Sequence, residues 1–148
     1  TLGLKLDWSS GDQNLNDGRI GSFNPMYVNP SIYSLALINV PVNLLSLHPS
    51  FTVFPSRKLM VQVEYVVFGR SSKNDGLYAP SNRQSRTAAD GVSARYIGNS
   101  VGLFVVYNYN RSFSFNLRTS YFQAGDFIEQ TGPSESVFQF SPTLTFSF

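Results

Sequence analysis

Six separate stretches of this chain alternate apolar and polar residues with a period of two, and little else in the sequence narrows its fold as much. That period puts successive side chains on opposite faces of an extended strand. Leu2, Leu4, Leu6 and Trp8 share one face, with Gly3, Lys5, Asp7 and Ser9 on the other. Leu45, Leu47, Phe51 and Val53 oppose Ser46, His48, Ser50 and Thr52. Next, Leu59, Val61, Val63, Tyr65 and Val67 form an apolar face. Lys58, Gln62, Glu64 and Arg70 lie opposite, with Met60, Val66 and Phe68 among them. Ile97, Val101, Leu103, Val105 and Tyr107 then oppose Gly98, Ser100, Gly102 and Asn108. Phe113, Phe115, Leu117 and Tyr121 oppose Ser112, Ser114, Asn116, Arg118 and Ser120. In the last stretch Phe138, Phe140, Leu144, Phe146 and Phe148 oppose Gln139, Ser141, Thr143, Thr145 and Ser147.

The connections alternate in length. Polar loops rich in turn-forming residues are expected at about 10–42, 71–93 and 125–136. Short reversals are expected at Pro55-Ser56-Arg57 and at Asn108–Arg111. The result is roughly six antiparallel strands, each near the ~9–11 residues that cross a bilayer at a tilt. Long loops on one side and short turns on the other are the habit of bacterial outer-membrane barrels.

A soluble sandwich or ligand-binding barrel alternates in the same way. The long strands, the regular alternation of loop lengths and the final strand ending on Phe148 weigh against it. Charged residues are 14%, against roughly 25% in ordinary soluble domains. Lys5, Asp7, Lys58, Glu64, Arg70 and Arg118 all keep to the polar side. The mean hydropathy of -0.10 and the lack of a long apolar run exclude a helical membrane protein. A strand ending on Phe148 resembles the assembly signal of outer-membrane barrels. The expected fold is all-β, an antiparallel transmembrane β-barrel in the outer membrane of a Gram-negative cell, with outer-membrane lipid around it. Such barrels start at about eight strands, and an open edge in lipid is costly. Residues 1–148 therefore read as the C-terminal portion of a larger barrel. Its remaining strands would come from the same polypeptide or from other chains.

The residues offer little reactive chemistry. Cysteine is absent and the net charge is only +2, which points to no nucleic-acid partner. Asp12, Asn14, Asn16 and Asp17 miss the spacing of a calcium loop, because Gly18 comes one place late. They read as a turn network. His48 is the lone histidine, and no G-x-S-x-G motif accompanies it. Its parity makes it a hydrogen-bonded histidine of the polar face. Arg95 has the opposite parity and is placed at a loop end. No catalytic residue, metal site or cofactor is expected. Trp8, Tyr65, Tyr107, Tyr109, Tyr121 and Phe148 suit the aromatic girdles of a barrel. Tyr78 is a weaker candidate for stacking on a sugar.

The loops carry more specific signals. Ser10-Gly11-Asp12, Asp17-Gly18 and Gly21-Ser22-Phe23-Asn24-Pro25 come first. Asn43-Leu44-Leu45-Ser46-Leu47-His48-Pro49-Ser50, Phe68-Gly69-Arg70-Ser71-Ser72 and Asn74-Asp75-Gly76-Leu77-Tyr78-Ala79-Pro80 follow. Ala94-Arg95-Tyr96-Ile97-Gly98 and Ser120-Tyr121-Phe122-Gln123-Ala124-Gly125-Asp126-Phe127 complete the series. In this order they resemble the C-terminal part of the alginate-export family of outer-membrane barrels, over nearly the whole chain. The chain departs from the pattern at Ser22, where Thr is expected, at Gly69 in place of an aromatic, and at Gln123 after Phe122. The resemblance implies a larger single-chain barrel with a basic lumen that draws in a polyuronate. Lys5, Lys58, Arg70 and Arg118 would supply the positive charge, with Asp7 and Glu64 pairing with them. The expected function is a porin-like conduit for an anionic or neutral saccharide or a small solute. The alternative is a structural or partner-binding barrel component whose long loops plug the lumen.

Overall fold

The computed structural model describes residues 1–27, 29, 40–88 and 92–148. The remaining parts of the loops expected at 10–42 and 71–93 lie outside the described residues. The chain is mostly antiparallel sheet, as expected. Its strands are β1 (Leu2–Trp8), β2 (Leu44–Ser56), β3 (Leu59–Arg70), β4 (Leu77–Tyr78), β5 (Gln84–Arg86), β6 (Tyr96–Asn108), β7 (Phe113–Ala124) and β8 (Val137–Phe146). Six of them form one sheet in the order β1-β2-β3-β6-β7-β8, while β4 and β5 make a separate ribbon. Each main strand pairs antiparallel with the next main strand along the chain. The sheet does not close on itself, and β1 and β8 form its two edges. No helix among the described residues is long and apolar enough to cross a membrane.

The register lines up the two faces. One row across all six strands reads Leu2, Phe51, Val63, Leu103, Thr119 and Phe140. The next residue along gives the opposite face: Gly3, Ser50, Glu64, Gly102, Ser120 and Gln139. The apolar face is the more open one. Leu4 is 73% exposed and Phe146 68%, whereas Ser46 is 1% and Ser120 4% exposed. In water each such Leu or Phe forgoes about 1.5–3 kcal/mol of burial.

Three details differ from the expected strands. The first reversal falls at Arg57-Lys58, between Ser56 and Leu59, because β2 runs through Pro55. Within β2, Pro49 has no N–H to give, and the recorded pairing with β3 skips His48 and Pro49. In β6 the register shifts where Phe68 meets Gly98 and Gly69 meets Tyr96. That shift turns Ile97 off the apolar face, and it is fully buried. Gly98 stands there at φ 151°, and a Cβ would meet Gln123 O at 2.3 Å.

The buried apolar cluster lies on the otherwise polar face, at the end of the sheet that carries the long loops. Leu44, Val66, Phe68, Ile97 and Phe122 come from the sheet and its bulge. Leu77 comes from the ribbon. Phe127 and Ile128 come from a short helix, α1 (Asp126–Thr131), inside the segment expected as plain loop.

Candidate functional site

The polar face divides into two zones along the strands. The loop-end zone is capped and packed. The zone toward the turns is open and carries the accessible polar side chains.

Arg70 ends β3 on the polar face, where a conduit cation was expected. Its side chain is 1% exposed. Nε donates to Ala94 O at 3.0 Å, and Nη1 to Lys73 O at 3.1 Å and Asp75 O at 2.7 Å. Nη2 donates to Val92 O at 3.5 Å and also to Ala94 O. The guanidinium stacks on the Phe127 ring, 3.8 Å from its centroid. Its donors are directed at carbonyls and its face at an aromatic, so Arg70 corrects the expectation. It ties loops down and presents no cation to a solute.

Lys58 lies, exposed, in the reversal and not on the strand face where it was expected. Its Nζ donates to Tyr109 O at 2.7 Å and lies 5.4 Å from the Tyr109 ring centroid. It belts two neighbouring reversals together.

Lys5 and Asp7 lie on the polar face and form an ion pair at 3.0 Å, the pairing expected of Asp7. Asp7 Oδ2 also lies 3.3 Å from His48 Nε2. Ser46 Oγ is 2.9 Å from that same nitrogen. A nucleophilic triad needs the serine on one ring nitrogen and the carboxylate on the other. Here both crowd Nε2, while buried Nδ1 has no partner among the described residues. The cluster is a hydrogen-bonded knot, with His48 edge-on to Phe68 at 6.0 Å.

Glu64 stands half-buried between Ser50 and Gly102. The Lys5–Asp7 and His48–Asp7 pairs do not include Glu64, and the nearby positive charge that acts on its carboxylate is that of Lys5. Arg118 is exposed in the row Thr52, Gln62, Phe104, Arg118 and Ser141. Its guanidinium lies 4.6 Å from the centroid of Phe104, its cross-strand partner. Its N–H groups meet no acceptor among the described residues. The ring holds the cation out while leaving its donors open.

Sequence reasoning missed the network that ties the loops to one another. Asp75 is buried. Its Oδ2 accepts from Asp12 N at 3.0 Å and Ser22 Oγ at 2.6 Å. Its Oδ1 accepts from Gly76 N at 2.7 Å and Tyr78 OH at 2.9 Å. Asn43, at φ 52°, donates to Ser72 O and Gly76 O at 3.0 Å and accepts from Ser72 N at 2.6 Å. The signal was present in the Asn74-Asp75-Gly76 motif, but its partners are 53 and 63 residues away. Burial pushes the Tyr78 phenol above its ordinary pKa. The Ser22 hydrogen bond opposes that shift, and Asp75 reinforces it. Tyr78 lines a cleft of about 460 Å³ with Leu15, Arg19 and Ile20.

Asp12 accepts from Asn14 N at 2.9 Å and Gly21 N at 3.3 Å. Asp17 accepts from Arg19 N at 2.9 Å. These are turns closed by side chains, as read from the sequence. Among the described residues no three His, Asp or Glu side chains are grouped to hold a metal. Arg95 lies at the loop end, donating to Ser71 O at 2.6 Å.

A sheet with an apolar face, a polar opposite face and loops gathered at one end makes this an all-β, antiparallel protein. The model of one family, described as alginate export, matches residues 1–141. The chain belongs to the alginate-export family. Comparison with curated proteins and with solved structures found no match.

Proposed function

We propose that this chain forms part of the wall of an outer-membrane β-barrel conduit, with further strands completing the barrel. The conduit passes an anionic polysaccharide of the polyuronate type, or smaller solutes of similar charge. One observation carries the reading. Toward the loop end the apolar face is the exposed one and the polar face is sheltered, while toward the turns both faces are open. That inversion suits a wall with lipid outside and a polar lumen inside. Membership of an export family supports the transport role.

Charge supports an anionic solute. Residues 51–62, 104–119 and 140–148 make the turn-end half of the sheet. They carry Arg57, Lys58, Arg111 and Arg118 and no Asp or Glu. A rim of one sign raises the local concentration of the opposite ion and speeds its arrival. Arg118 is the lumen-side cation with open donors. Several weak contacts of this kind let an anion enter without trapping it.

The full-length protein in planar bilayers tests this reading. Anion-preferring conductance that a polyuronate oligosaccharide blocks is expected. A folded barrel that passes no ions would overturn it. A second reading, a barrel component with a plugged lumen, draws on the burial of α1 against the polar face. Absence of conductance from a folded barrel would favour it.

A further inference from the structure

We propose that α1 and the β4–β5 ribbon form a fixed size filter at the loop-end mouth of the conduit, separate from the charge site at Arg118. This rests on the conduit reading above.

The inference begins with where the apolar core is. In this chain the packed cluster is on the lumen side, at one end only. Phe127 and Ile128 of α1, with Leu77 of the ribbon, cover Val66, Phe68 and Phe122 of the wall. Phe127 is fully buried. Close packing of this kind takes up space within the mouth and resists displacement.

Two arginines lock the assembly. Arg70 joins the end of β3 to four backbone carbonyls and to the Phe127 ring. Arg86, on β5, donates to Ile128 O at 3.0 Å, Thr131 Oγ1 at 3.3 Å and Pro133 O at 2.5 Å. It therefore straps the ribbon to α1 and to the segment leading into β8. Gly125 N donates to Ile97 O at 2.8 Å, fixing the start of the helix on the bulge of β6. A gate needs a low-stability element that opens. This insert is tied at its start, middle and end, so it narrows the passage without swinging.

The test measures polymer exclusion. The full-length protein is placed in planar bilayers with neutral polyethylene glycols of graded size, and the largest polymer that still lowers conductance is recorded. Arg86→Ala and Phe127→Ala are compared with wild type and with Arg83→Gln. That control removes an exposed charge from the same ribbon without touching the strap. Heat-modifiable gel mobility checks folding. A cut-off shifted to larger polymers in R86A and F127A, but not in R83Q, is the expected result. Should F127A fail to fold, R86A decides, because it removes only polar contacts. A conducting wild type with the same cut-off in R86A overturns the size filter alone, as does an equal shift in R83Q. A folded wild type that conducts nothing overturns the conduit reading and the filter with it.

Discussion

Arg70 and Arg118 have the same parity and the same side chain, and the structure gives them opposite surroundings. Arg118 is exposed, braced by Phe104 at 4.6 Å, with open donors. Arg118→Glu is expected to lower the anion preference of the proposed conduit, read as a shift in reversal potential across a salt gradient. Arg70 is buried under carbonyls that its loss would leave unpaired. Each buried unpaired group costs about 1–3 kcal/mol. Arg70→Met is therefore expected to destabilise the fold by about 3 kcal/mol or more, read as a lower midpoint of heat modification. Parity in the sequence shows which face each arginine occupies. It is silent on depth along the strand, because depth depends on loops folding back from far along the chain. Tyr78 behaves in the same way. Its folded-state pKa is raised, chiefly by burial. The stabilisation from its neutral form is complete below the unfolded-state value of 10.0 and is lost as pH rises through the folded value. The loop network is expected to loosen in that alkaline range in wild type and to lose that pH dependence in Tyr78→Phe, followed by limited proteolysis of the loops.

Among the elements, strands were far easier to read than inserts. The six main strands emerge from period two alone, because each long strand keeps its apolar side chains on one face and its polar ones on the other. The Ile97 face was misplaced, since a bulge reverses parity without a signature beyond Gly98. Gly98→Ala would force φ 151° on an L-residue and press a Cβ against Gln123 O. A loss of about 1–3 kcal/mol is expected, measured by the same heat-modification assay. The helix α1 was invisible in a polar, Gly- and Ser-bearing segment, because Phe127 and Ile128 are helical through packing and not through a repeating pattern. Core and surface sites should separate cleanly. Phe68 is 1% exposed against Phe122 and His48, so Phe68→Ala is expected to cost about 3–5 kcal/mol. Phe51 is 51% exposed on the apolar face. Phe51→Ala is expected to change unfolding in detergent far less.

At the scale of the whole molecule, the main strands pair in simple succession, each with the one before and the one after. The ribbon and α1 sit off that path. Among the described residues no strand is inserted between two others, so a hairpin can be added or removed without re-threading its neighbours. Barrel diameter grows roughly linearly with strand number. In the proposed barrel an up-and-down wall of this kind would be re-gauged in steps of two strands, and its mouth would be re-tailored separately by exchanging loop inserts. Bore and aperture are then two independent dimensions open to variation among proteins built on this plan.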